Sequence, residues 1–190
     1  NKPIEAYNRF LDIIDGVAGV NFQSPDRQTS FHRRYFASAT DKVFVAHYEA
    51  DGAEPLKLNI SYAPDGQISA GSVTYTSEND GTASATFSGK MQIVSYNTRF
   101  KVKTDGTLYV TSDGINVSNA TWTDIIMAAA TDYDASKASF VSGQTASNLA
   151  STVTSRINDA LDKGYSALLS DHKAAHSALM NRVNLHLGSP

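Results

Sequence analysis

At 190 residues, 41% hydrophobic and 18% charged, the chain is long enough for one buried core and too apolar to stay disordered. A formal net charge of −3 with no long basic run excludes the electrostatic footprint of a nucleic-acid binder. No apolar run reaches bilayer-spanning length, the longest covering residues 125–130, and the absence of cysteine excludes disulfides, thiolate zinc sites and cysteine nucleophiles.

The chain starts at Asn1 without a signal-peptide pattern and stops at Gly188, Ser189 and Pro190, so both ends are expected to be cut from a larger polypeptide. Between residues 31 and 130 apolar and polar positions alternate with period two. Asp-Gly pairs punctuate that run at Asp51-Gly52, Asp65-Gly66, Asp80-Gly81, Asp105-Gly106 and Asp113-Gly114. Asp-Gly between alternating segments predicts hairpin turns, because both central turn residues need positive φ. Leu56, Leu58, Ile60 and Tyr62 alternate with Lys57, Asn59 and Ser61, a half-buried strand. Phe100 and Val102 alternate with Arg99, Lys101 and Lys103 in the same way. Apolar residues follow one another from Trp122 to Thr131, which predicts a strand covered on both faces.

After Asp134 the period changes. Leu149, Val153, Ile157 and Leu161 recur every fourth residue and define one helical stripe, and Gly164 is placed to stop that helix. A second amphipathic helix carries Tyr165, Leu168, Leu169, His172, Ala175, Leu179 and Met180. Val183, Leu185 and Leu187 then alternate as a short last strand. The pattern predicts a mainly β, antiparallel sandwich or barrel with two helices near the C-terminus.

No catalytic constellation emerges. His172 and His176 lie four apart beside Asp171, a spacing that fits a metal site, but Lys173 stands where a zincin motif carries Glu. The plainer reading has both histidines on a helix face, packed against a neighbouring domain or in solvent, so no metal ligand and no cofactor is assigned. Asp132 and Asp134 flank Tyr133 and match the paired carboxylates of glycoside hydrolysis in residue type alone. At two residues apart they fit a strand end and a loop cap better. Arg99, Lys101 and Lys103 form a basic row read as a solvated outer face. Trp122 and Tyr133 are read as core aromatics before sugar platforms.

Several ordered segments resemble the amino-terminal domain of glycoside hydrolase family 95, the α-L-fucosidase family. Tyr7-Asn8-Arg9-Phe10-Leu11-Asp12 is similar to a Tyr-x-Arg-x-Leu-Asp segment there. Arg33-Arg34-Tyr35-Phe36-Ala37-Ser38, with Asp41-Lys42-Val43, resembles a following strand, although Arg34 replaces the usual Glu. Phe87-Ser88-Gly89, Tyr96-Asn97-Thr98-Arg99-Phe100 and Ala128-Ala129-Ala130-Thr131-Asp132-Tyr133 match middle segments, and Arg182-Val183 with Leu185 and Leu187 matches the end of a helical linker.

The resemblance implies a galactose mutarotase-like supersandwich over residues 1–144 and a helical segment over 145–190 leading toward an (α/α)₆ catalytic barrel. The parent would be a bacterial, secreted or periplasmic enzyme that hydrolyses α-L-fucosides or α-L-galactosides with inversion. All its catalytic residues would lie in the barrel, leaving none here. The expected partners are that barrel, contacted through Leu168, Leu169, His172 and Leu179, and the carbohydrate substrate of the parent; no nucleic acid and no membrane span are expected. Two alternatives are an independent carbohydrate-binding module, which predicts a row of exposed aromatics on one sheet face, and the equivalent domain of another (α/α)₆-barrel hydrolase or phosphorylase.

Overall fold

The computed structural model describes residues 5–63, 73–183 and 188. In chain order the strands are β1 (Glu5–Asp12), β2 (Val17–Gln23), β3 (Thr29–Ser38), β4 (Val43–Gly52), β5 (Leu56–Ile60), β6 (Val73–Ser77), β7 (Ala83–Met91), β8 (Val94–Thr104), β9 (Thr107–Val110), β10 (Ile115–Ala120) and β11 (Trp122–Thr131). Helices α1 (Ala146–Lys163) and α2 (Tyr165–Met180) follow. An eight-stranded sheet has the order β1-β2-β3-β4-β11-β8-β7-β6, and a three-stranded sheet has the order β5-β10-β9. The strand pairs are antiparallel, as the hairpin punctuation predicts.

Strand β11 explains the layering. Its bounds coincide with the apolar run 122–131, and it lies between β4 and β8 in the middle of the large sheet. Ile126 and Ala128 face a core shared with Val45 of β4 and with Val153, Ile157, Leu161 and Leu168 of the helices. Ile125 and Met127 face the opposite core, built from Ala85, Phe100 and Val102 of the large sheet and Leu56, Ile115 and Val117 of the small one. One strand thus serves two cores, and the sandwich carries a third layer of helix. Both helices lie on the large sheet, α1 over β11 and β8 and α2 over β3.

The helical stripe behaves as its period demands: Leu149, Val153, Ile157 and Leu161 are all buried. Thr145 caps α1 by accepting a hydrogen bond from the Asn148 amide at 3.2 Å. Gly164, at φ 79°, ends it and turns the chain into α2. Among the described residues no helix is long and apolar enough to cross a membrane.

Three expectations change. Strands β1 and β2 precede residue 31, where the alternation begins; β1 is an edge strand with an irregular register between Glu5 and Asn8, which blurs its period. Asp80-Gly81 and Asp113-Gly114 do lie in the β6–β7 and β9–β10 hairpins, but Asp51-Gly52 and Asp105-Gly106 mark corners where the chain leaves the large sheet for the small one. At the second corner the Asp105 carboxylate accepts from the amides of Thr121 and Trp122 at 2.9 and 3.1 Å. A β-carbon on Gly106 would stand 2.4 Å from the Ser118 carbonyl oxygen, so close approach selects glycine there. Asp65-Gly66, and Leu185 and Leu187 of the expected last strand, fall outside the described residues.

The basic row is the third change. Register places Arg99, Lys101 and Lys103 opposite Ala128, Ile126 and Asp124, on the face that α1 covers. Lys101 is buried, with its ammonium 2.8 Å from Asp80 and 3.2 Å from Asn158 of α1. Arg99 pairs closely with Glu78 and donates to Thr154 of α1 at 3.1 Å. Only Lys103 reaches solvent as an outer-face residue would. Period two assigns residues to a face; it does not say what lies above that face.

Candidate functional site

The helix corner at Gly164 leaves a cleft of about 470 Å³ above the central strands. Its floor comes from His47 of β4, Trp122 and Asp124 of β11 and Lys103 of β8; its wall comes from Lys163, Tyr165 and Ser166. His47 Nδ1 lies 2.6 Å from Asp124 Oδ1, and both side chains are nearly nine-tenths buried. The Tyr165 ring lies flat on the imidazole at a centroid distance of 3.8 Å, and burial pushes its phenol above the ordinary range. Residue spacing does not predict this His–Asp pair. The available signal is Asp124 itself, a carboxylate inside a strand buried on both faces, which must find a partner. The partner stands 77 residues away, and nothing in the sequence names it.

Among the described residues the cleft brings together one imidazole, one carboxylate and two ammonium groups. Ser166 stands on the wall, but no hydrogen bond joins it to His47, whose ring face is taken by Tyr165. The lining holds no cysteine and no second carboxylate. Asp132 and Asp134 do not join it. Asp132 is buried and accepts the Ser95 amide at 2.7 Å, tying the end of β11 to the start of β8. Asp134 accepts from the Ser136 hydroxyl and amide, and these bonds hold its carboxyl below the usual range. Both act at the strand end and in the loop.

His172 and His176 dock α2 onto the β1–β2 turn. His172 Nε2 donates to the Gly16 carbonyl at 3.0 Å and His176 Nε2 to the Ile13 carbonyl at 2.8 Å. Asp171 is paired with Lys163 and Lys173 with Asp15, each at 2.6 Å. Among the described residues no cluster of three or more His, Asp or Glu is arranged to hold a metal ion.

The four residues expected at a domain interface separate. Leu168 is fully buried against this domain's own sheet, His172 stacks on Phe36 at 4.8 Å, and Leu169 packs at the edge of the same core. Leu179 is 60% exposed. Ile13, Ile14, Met180 and Val183 are exposed as well and, together with Asn181, line one depression at the same end of α2. Among the described residues the exposed aromatics Tyr7, Phe44 and Tyr109 sit on β1, β4 and β9, which are not neighbours in either sheet, and Tyr133 and Phe140 lie in the loop after β11.

Ion pairs around the helices carry a pH dependence. Hydrogen bonds from Lys101 and Thr82 hold the Asp80 carboxyl well below the usual carboxylate range. Burial opposes ionisation of Asp41, yet hydrogen bonds from Lys163 and Ser38 outweigh it and lower that group too. A depressed folded-state pKa adds stability above the unfolded value and loses it as pH falls toward the folded one. Melting temperature should therefore hold down to about pH 4 and fall below it. Asp80→Asn should flatten the acid limb in a pH series of thermal melts; an unchanged limb would remove Asp80 from this account.

Comparison with known proteins bears on the fold and the family. The solved structure described as "Putative kojibiose phosphorylase from human microbiome" superposes with a TM-score of 0.66 at 10% identity, over 93% of this chain and 25% of that one. This chain thus spans about a quarter of that protein's length, and at such identity the likeness establishes the sandwich fold alone. No curated protein matches the sequence. The family model that does match describes the N-terminal domain of glycosyl hydrolase family 65 and covers residues 1–136. An amino-terminal domain of the glycoside hydrolase and phosphorylase type is thereby supported, and family 95 in particular is not. With most of its length matched, this chain belongs to the glycosyl hydrolase family 65 N-terminal domain family.

Proposed function

We propose that the chain is a non-catalytic scaffold that packs against, and positions, a catalytic (α/α)₆ barrel of the same polypeptide. The observation that carries this reading is the family match over residues 1–136, joined to a cleft with no carboxylate couple and no serine bonded to its histidine. The parent enzyme then acts on an α-linked disaccharide of glucose by hydrolysis or phosphorolysis. Ordered motifs such as those at residues 7–12 and 33–38 keep α-L-fucosides as a second substrate class.

The docking surface is the exposed apolar set Ile13, Ile14, Leu179, Met180 and Val183, because α2 delivers the chain into it at Val183. Apolar side chains this exposed are stabilised by cover. In this reading the barrel is the occupant, because the chain leaves α2 at this depression.

The test compares the chain with the parent polypeptide extended beyond Pro190. The extended protein should cleave kojibiose or maltose, with or without inorganic phosphate, while the chain alone should be inactive. Cleavage of a fucoside and not of a glucobiose would return the parent to the fucosidase class. Activity in the chain alone would overturn the scaffold. Substituting Ile13, Ile14 and Leu179 by serine should weaken the parent by about 2–5 kcal/mol of interface stability. The same change should leave the melting of the isolated chain almost unaltered; equal effects on both would show that the surface serves only the domain itself.

A further inference from the structure

We propose that the cleft at the α1–α2 corner is a carbohydrate-binding site that seats one ring of a neutral pyranose, with Trp122 as its platform and Asp124, His47 and Lys103 as its hydroxyl partners. The proposal is independent of which enzyme the scaffold serves.

The volume, about 470 Å³, lies within the ~300–1,000 Å³ range of small-molecule pockets. Its lining mixes an indole and the aliphatic side chains of Ile126 and Leu161 with a few convergent polar groups, which suits a ligand with an apolar ring face and a polar rim.

The His47–Asp124 hydrogen bond and the Tyr165 ring stacked on His47 help to hold the corner, yet they do not use all the polar atoms of the pair. What the pair provides is unused valence. A carboxylate has about four acceptor positions. In Asp124 the Oδ1 atom receives His47, and the second oxygen takes no side-chain or backbone donor among the described residues. His47 likewise spends Nδ1 on Asp124 and keeps Nε2. Lys103 lines the cleft, is exposed, and has no hydrogen-bond or ion-pair partner among the described residues. A sugar presents adjacent hydroxyls that donate to a carboxylate and accept from an ammonium at once, so one ring edge satisfies both groups.

Other ligand classes fit less well. An anion would meet the Asp124 carboxylate, and Lys163 is already engaged by Asp41 and Asp171. An apolar ligand would cover Asp124 and Lys103 without bonding them. None of the exposed aromatics Tyr7, Phe44, Tyr109, Tyr133 and Phe140 lines this cleft, whose aromatic side chains among the described residues are Trp122, Tyr165 and His47, so the site takes a single ring or a chain end.

Trp122 is the only tryptophan in the sequence, so intrinsic fluorescence reports on the cleft directly. The chain should be titrated with D-glucose, maltose and L-fucose, with acyclic glucitol as a control and inorganic phosphate as a competing class. A saturable spectral shift with at least one pyranose, in the millimolar range, and none with glucitol is expected. Asp124→Asn should weaken that binding about tenfold or more, and Lys103→Ala about three- to tenfold. Lys103 is exposed, so its variant keeps the test open if Asp124→Asn fails to fold. No saturable shift with any of the three sugars, an equal shift with glucitol, a response to phosphate alone, or undiminished affinity in Lys103→Ala would each overturn the proposal.

Discussion

Gly16→Ala should destabilise the protein by about 2–4 kcal/mol, lowering the melting temperature by roughly 5–15 °C for a domain of this size. Gly16 closes the β1–β2 turn at φ +69°, where an L side chain is strained. An added β-carbon would also stand 2.8 Å from His176 Nδ1 and 3.0 Å from His172 Nε2. Both imidazoles would have to move, and their bonds to the carbonyls of Ile13 and Gly16 are what fasten α2 to this turn. Gly81→Ala is the control: its φ is +78°, yet a β-carbon there meets nothing within 4 Å. It should cost about 1 kcal/mol, from backbone strain alone. Equal melting shifts in the two variants would mean that the imidazoles yield freely and the clamp contributes little.

Glu78→Ala should cost about 2–4 kcal/mol, because it leaves the Arg99 guanidinium beneath α1 without its counter-charge. Arg99 and Glu78 side chains are only 20% and 23% exposed, and Glu78 also accepts from Ser84 at 2.5 Å. The bonds left to Arg99 run to the hydroxyls of Thr154 and Ser84, and its Nε already lies buried without a partner among the described residues. Replacing both charges together, as Glu78→Leu with Arg99→Met, should recover stability to within about 1 kcal/mol, since a buried pair is costly to break and cheap to remove. Denaturant melts of the single and double variants decide it. A double variant as unstable as Glu78→Ala would show that Arg99 matters for its contacts to α1 and not for its charge.

These two sites show how far a sequence can be read. The β6–β7 turn at Asp80-Gly81, the alternation of Leu56, Leu58 and Ile60, the bounds of β11 and the stripe from Leu149 to Leu161 all depend on residues within a few positions of one another. Local spacing therefore suffices for them. The His172–His176 spacing is equally visible, but its purpose is not. A four-residue step puts both rings on one helix face, and that face could meet a metal, a domain or, as it does, two carbonyls more than 150 residues away.

Family membership is legible to the level of fold and domain type. The order of short segments points to an amino-terminal sandwich of a carbohydrate-active enzyme, and the family 65 match supports that domain type without supporting family 95 in particular.

By itself, the sequence determined the elements and their amphipathic faces, because the periods of strand and helix translate local order into which side chains point together. Only the tertiary structure decided what covers each face. It laid α1 over Arg99 and Lys101, so a row that reads as solvated became a buried, paired layer. It also brought His47 and Asp124 to 2.6 Å across adjacent strands and left the Trp122 cleft open beside them. Those juxtapositions depend on strand order and on where the chain turns at Gly164, and neither is encoded in the spacing of the residues that meet.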